Sequence, residues 1–150
     1  MIEINLTAVT HGTFLAIKHM SKENAGSGGV IINTGSVAGL RAIPRLPVYA
    51  ATKHGVVALS RSLAKNPKVS GENIRINVLC PQFVDTVLVR NHKSYGSEIV
   101  LEDQTFIPIS LVAEAFMKLV EEDRTGQAMV ITENGISVHK FASVAKASTL

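Results

Sequence analysis

The alternation of apolar and polar positions divides the chain into helices and short strands. From Ile2 to about Met20, the residues Ile4, Ala8, Phe14, Leu15 and Ile17 share one broad apolar face at helical spacing. "SKENAGSGG" follows, and its glycine, serine and asparagine content marks a loop. "VIIN", Val30 to Asn33, is a β-branched run between a glycine pair and "TGS", and reads as a buried strand. Pro44 and Pro47 bound the next loop. A helix is expected from about Val48 to Lys65, ended by Pro67, with Ala51, Val56, Leu59 and Leu63 supplying apolar surface. "IRINVLCP", Ile74 to Pro81, reads as a second strand closed by proline. Residues from about Val87 to Pro108 are expected to be irregular, with a turn at Tyr95-Gly96-Ser97. Connections of that length often serve as lids or binding loops. A third helix is expected over Leu111 to Glu122, and a third strand over Ala128 to Thr132 after the turn "DRTG". From Gly135 onward the pattern predicts no element.

Helix, strand, helix, strand, helix, strand is the order of an α/β fold with parallel strands and right-handed crossovers. No internal repeat and no linker divides residues 1–150, so one domain is expected.

Composition narrows the class. Hydrophobic residues make up 46% and charged residues 18%, values of a globular chain. The formal net charge of +3 is too mild to argue for nucleic acid. A single cysteine, Cys80, excludes an internal disulfide and is compatible with a reducing compartment. The start "MIEINLTAV" lacks the basic residues of a signal peptide, and no uncharged apolar run approaches the ~20 residues of a membrane span. A cytoplasmic protein is expected. His92 and His139 show no metal-ligand spacing, and His54 reads as a surface residue, so no metal site is expected.

The candidate chemistry sits in "YAATKHG". Tyr49 and Lys53 lie one helical turn apart on one face. An ammonium beside a phenol favours the phenolate, which suits the phenol to proton exchange at an alcohol or carbonyl oxygen. The plain alternative is a half-buried tyrosine beside a snorkelling lysine. Ser36, in "NTGSVAG", follows a strand and so falls at a strand's carboxyl end, where open α/β sheets bind ligands. Its alternative is a turn serine. Asn5, on an otherwise apolar helix, needs a polar partner and reads as structural when taken alone. In "CPQFVDT", backbone groups of Val84 and the Thr86 hydroxyl follow Pro81 at the second strand's carboxyl end, in reach of a flat polar ligand. Asp85 or Thr86 acting as a helix cap is the alternative there.

Taken together, "INLTAV", "VIINTGSVAG", "YAATKHGVVALSRSLA", "IRINVLCP" and "PQFVDT" resemble the carboxyl-terminal half of a short-chain dehydrogenase/reductase. "CPQFVDT" and "EEDRTGQAMVITENGI" are further similar to the 15-hydroxyprostaglandin dehydrogenase branch of that family. The resemblance implies part of a Rossmann-type doubly wound parallel sheet. It implies hydride transfer between a secondary alcohol or its carbonyl product and NAD or NADP, on a fairly apolar substrate. By the same resemblance Tyr49 is the acid/base, and Lys53 tunes it and holds the nicotinamide ribose. Ser36 orients the substrate oxygen, and Asn5 holds a water that links Lys53 to solvent. Val84 and Thr86 contact the carboxamide, Pro81 shapes their loop, and the Asn5 and Tyr49 helices form a homo-oligomer contact.

The chain also departs from the family. The glycine-rich turn that seats the pyrophosphate on a helix N-terminus has no counterpart, because "GSGGVI" precedes a strand instead of joining a strand to a helix. Only the family's last three strands are expected. That predicts a truncated fold with an open edge at "VIIN" and a bare apolar face. The choice between NAD and NADP rests on residues that precede Asn5 in the family, so both stay open. The competing expectation is a catalytically inactive, truncated chain that acts through protein–protein contacts. Gln82, where the family has glycine, predicts backbone strain if that position needs a positive φ.

Overall fold

A computed structural model describes residues 1–90 and 105–142 of the chain. The three expected strands and a fourth form one sheet: β1 (Gly29–Thr34), β2 (Ile74–Pro81), β3 (Ala128–Thr132) and β4 (Gly135–Val138), in spatial order β1-β2-β3-β4. The first three strands run parallel, with Ile31 opposite Ile76 and Cys80 opposite Val130. The tail that showed no pattern supplies β4, which pairs antiparallel with β3. Asn134-Gly135 carried the signal for this hairpin, and Gly135 adopts φ 100° there.

The first helix begins as a π-helical turn, Glu3–Thr7, and continues as α1 (Ala8–Met20). α2 (Pro47–Ala64) starts on its proline, whose missing N–H costs nothing in a first turn. Pro67 does not merely end α2, because it opens the single turn α3 (Pro67–Ser70), capped by Asn66 Oδ1. A further turn, α4 (Val87–Arg90), precedes the segment that lies outside the described residues. That segment holds the expected Tyr95–Ser97 turn, His92, Ile99, Val100 and Leu101. α5 (Ile109–Glu121) is the last helix.

Strand alternation distributes side chains to two faces. On one, Ile31, Ile74, Ile76, Val78, Cys80 and Ala128 pack under α1 and α2. On the other, Leu79, Met129 and Ile131 pack under α5 with Ala115 and Leu119. The first helix corrects an expectation. Ile4, Ala8, Phe14 and Leu15 face outward, and Ile4 is 75% exposed. The helix turns Leu6, Val9, Thr13, Ala16 and Ile17 to the sheet instead. Periodicity identified an amphipathic helix, but its apolar girth is wide enough to offer two faces, and packing chose the other one.

Polar residues lock the turn into β3. Asn77, fully buried, donates to Arg124 O (2.9 Å) and accepts from Gln127 N (2.9 Å). Gly28 and Gly29 fill the join from the loop to β1. A side chain at Gly28, φ 85°, would collide with the Asn73 carbonyl, so the glycine pair serves a tight α-to-β turn.

Candidate active site

Parallel pairing brings the ends of β1 and β2 to one edge, and that edge collects the candidate residues. Gly35 N–H donates to Leu79 O at 2.7 Å, so the chain leaves β1 still tied to β2. Ser36 follows, 9% exposed. Its Oγ accepts from Ala38 N–H (3.1 Å) and donates to Pro81 O (3.4 Å). Ser36 is thus the turn serine of the plain reading, since it caps the 3-10 turn Val37–Gly39. It also keeps chemistry in reserve, because the bond to Pro81 is long and its proton can be redirected to a better acceptor.

Tyr49 and Lys53 lie in the first turns of α2, both half-buried. The Lys53 Nζ sits 5.8 Å from the centre of the Tyr49 ring and donates to Thr34 O at 3.0 Å. One of its three N–H donors is therefore spent on the end of β1, next to Ser36. Burial holds the Lys53 pKa below the usual lysine value, and Cys80 opposes that shift weakly. Gly39 permits this closeness, because a Cβ there would stand 2.5 Å from Lys53 O.

Asn5 lies in the π-helical turn, a distortion frequent at functional sites. Its Nδ2 points to Thr52 Oγ1 at 3.4 Å, and Thr52 donates to Tyr49 O at 2.7 Å. Asn5 therefore has the polar partner it required, one residue before Lys53.

Pro81 ends β2, opposite Ile131, and the ladder stops there as proline dictates. Val84 forms an isolated parallel bridge with Ile107. Ile107 bonds Phe83 O (2.8 Å) and Asp85 N–H (3.0 Å), so by strand alternation Val84's own N–H and C=O point away from Ile107. Thr86 Oγ1 accepts from Val89 N–H at 3.4 Å, the cap of the plain reading, and its hydroxyl proton is left for another partner. Gln82 carries no strain. Among the described residues the non-glycine positive φ angles are at Ala25 and Asn73. Ile107, in a stretch whose apolar residues read either as a lid or as packing, is 1% exposed and belongs to the core, whereas Val87 stays exposed and Phe106 stays exposed beside Phe83. His54 bonds Ala50 O of its own helix at 2.9 Å and lies at the surface. No cluster of metal-ligating side chains occurs among the described residues.

Three participants escaped the sequence. The Thr34 carbonyl is a backbone group and leaves no trace in residue type. Thr52 sat unremarked inside "YAATKHG". Cys80 is 0% exposed beside Ser36 and Lys53, and burial pushes its thiol up to about 11.

The family model described as short chain dehydrogenase matches residues 1–95. The 15-hydroxyprostaglandin dehydrogenase [NAD(+)] of Mus musculus is 37% identical over 143 residues, which cover 87% of this chain and 53% of that protein. The Homo sapiens protein of the same name is 34% identical, over 93% of this chain and 58% of that protein. A crystal structure of an actinorhodin polyketide ketoreductase with NADPH superposes with a TM-score of 0.70 at 28% identity, over 87% of this chain and 55% of that one. The chain spans about half the length of the relatives it matches. With a family model that covers most of the chain, relatives above 30% identity and the expected sheet all in agreement, the chain belongs to the short chain dehydrogenase family.

Proposed function

We propose that this chain carries the catalytic half of an NAD- or NADP-dependent oxidoreductase that interconverts a secondary alcohol and its ketone or aldehyde. The observation that carries the reading is the Lys53 ammonium, anchored on Thr34 O beneath the Tyr49 ring and next to Ser36. In the oxidative direction Tyr49, as phenolate, takes the alcohol proton. Lys53 sets its ammonium beside the Tyr49 ring, fixed there by its bond to Thr34 O. Ser36 turns its O–H from Pro81 O to the substrate oxygen and holds it during the transfer. In the reductive direction Tyr49 returns the proton. When bound, the nicotinamide takes or returns the hydride.

The residues present fit one end of such a cofactor. The remaining Lys53 donors suit a ribose, and the outward N–H and C=O of Val84 with the Thr86 hydroxyl suit a carboxamide. Among the described residues no glycine-rich turn joins a strand to a helix N-terminus, so a pyrophosphate finds no seat of that kind. NAD and NADP both remain in the reading, since one relative is named for NAD(+) and the ketoreductase was solved with NADPH. Phe106, exposed beside Phe83, and the exposed Val87 supply an apolar rim. That rim supports an apolar substrate, in keeping with the relatives' name. A cytoplasmic setting completes the reading. No described helix is long and apolar enough to cross a membrane.

The same reading includes self-association through the Asn5 helix and α2. Its support is the exposed apolar set Ile2, Ile4, Phe14, Leu15 and Val48, together with a groove of about 380 Å³ lined by Ile2, Leu6, Pro47, Val48, Ala51 and Thr52. That surface also favours the second reading, a catalytically silent chain that works through protein contacts.

Fluorescence titration of the purified chain with NADH and NADPH separates the two. Saturable binding, with turnover reduced at least about 100-fold and binding kept in Tyr49→Phe, upholds the catalytic reading. A folded chain that binds neither cofactor sinks it and leaves the contact role.

A further inference from the structure

Three buried polar side chains outside the catalytic set meet one layer beneath it. Asn33 stands on β1, immediately before the residue whose carbonyl holds Lys53. Its Oδ1 accepts from Thr13 Oγ1 of α1 at 3.1 Å, and its Nδ2 donates to Ser60 Oγ of α2 at 2.9 Å. Thr13 is 2% exposed, Asn33 8% and Ser60 0%. Apolar side chains would fill this space without the desolvation cost that polar groups carry. What they would lack is direction. An amide bonded at both ends fixes the height and rotation of two helices on one strand, whereas apolar contact tolerates sliding.

The placement matches the site. Ser60 lies about two turns beyond Lys53 on nearly the same face of α2, and Thr13 lies about two turns beyond Asn5 on the first helix. Both hydroxyls also bond within their own helices, and the single Thr13 proton is shared between Val9 O and Asn33 Oδ1. Thr13 Oγ1 reaches Val9 O at 2.8 Å, and Ser60 Oγ donates to Val56 O at 2.8 Å. Loss of the Asn33 amide therefore orphans neither hydroxyl, which separates the directional role from the cost of an unpaired buried group.

We propose that Asn33 is a positioning residue: clamped between Thr13 and Ser60, it fixes the carboxyl end of β1 against α1 and α2 and so sets where the Thr34 carbonyl holds the Lys53 ammonium. The catalytic meaning of the clamp rests on the function proposed above, but its geometric meaning does not. Among the described residues, the titratable groups that face Lys53 are Tyr49 on its own helix and Cys80 on β2, while β1 offers the Thr34 carbonyl. The Cys80 thiol stays protonated at neutral pH and supplies no counter-charge there.

The test follows the Lys53 ε-carbon by NMR in the full 150-residue chain labelled with ¹³C-lysine, assigned with Lys53→Arg. Lys53 is expected to titrate below the surface lysines. In Asn33→Leu and Thr13→Val its midpoint moves further down, because a displaced Thr34 carbonyl no longer favours the ammonium, while thermal unfolding stays cooperative. Thr13→Ser, which keeps the hydroxyl and loses only a methyl, behaves as the parent. The clamp is overturned by a midpoint unmoved in Thr13→Val. A midpoint moved as far by Thr13→Ser as by Thr13→Val overturns it too, since that marks packing. If Asn33→Leu does not fold, the two Thr13 variants decide alone. The readout needs no cofactor. A chain without turnover defeats the catalytic reading and leaves this test standing, whereas an active chain whose Lys53 ignores Thr13→Val defeats only the clamp.

Discussion

Lys53 and Cys80 are neighbours whose burial acts on stability with opposite sign. The folded state lowers the Lys53 pKa from 10.5, so between that lowered value and 10.5 the unfolded chain binds more protons and stability rises with pH. The folded state raises the Cys80 pKa from 9.0 to about 11, so its contribution is complete below pH 9.0 and is lost as pH rises through 11. Urea unfolding from pH 8 upward therefore shows the parent gaining on Lys53→Met as pH rises toward 10.5. A constant difference between the two would contradict a buried ammonium. The thiol makes its own prediction: Cys80 resists alkylation in the native chain near pH 8 and reacts promptly in denaturant. At this scale the sequence exposed much. Tyr49 and Lys53 were legible because both sit on one helix, where spacing fixes geometry. The Thr34 carbonyl and the Asn33 clamp were not, because they join residues that only folding brings together.

Among the elements, the C-terminus of α5 is capped by one side chain from β2. The Arg75 guanidinium donates to Leu119 O (3.0 Å), Glu122 O (2.6 Å), Arg124 O (3.3 Å) and Val120 O (2.8 Å), and so takes up the free carbonyls of the helix C-terminus. Its ion pair with Asp123 spans 3.8 Å to a fully exposed carboxylate and is worth little. Arg75→Met is therefore expected to cost about 2–3 kcal/mol in denaturant unfolding, and Asp123→Asn less than about 0.5. Equal losses would mean that the ion pair, not the carbonyl cap, matters. Gly39→Ala drives a methyl against Lys53 O, a clash expected to cost about 1–3 kcal/mol and to displace the turn after Ser36. A variant of unchanged stability would show that this turn yields freely. The three parallel strands were readable from β-branched runs. β4 was not, because a four-residue edge strand has too few positions to show alternation, although Asn134-Gly135 marked its hairpin.

Over the whole molecule, the outward face of the first helix sets the next expectation. Ile4, Phe14 and Leu15 are more than half exposed, and at its start the helix shares an apolar groove with Val48 of α2 through Ile2 and Leu6. A patch of this kind marks an interface. Sedimentation is expected to show self-association of the parent, weakened in the double variant Ile4→Asp, Phe14→Lys with unfolding stability unchanged, since neither side chain packs on the sheet. A parent that sediments as a monomer at all concentrations removes the self-association.

The sequence by itself determined the α/β order, the boundaries of β2 and β3 and the identity of the catalytic candidates. Each of these is local: a β-branched run, a proline, a one-turn spacing. Tertiary structure alone decided which of two apolar stripes of the first helix meets the sheet, because hydrophobic attraction has no preferred direction and the better-fitting face wins. It alone chose the core over a lid for Ile107, where the sequence allowed both, and decided that Gln82 sits without strain. The same physics holds at the site. A lysine's charge is written in its side chain, but the carbonyl that aims it is a backbone group, and only the paired strands place it within 3.0 Å.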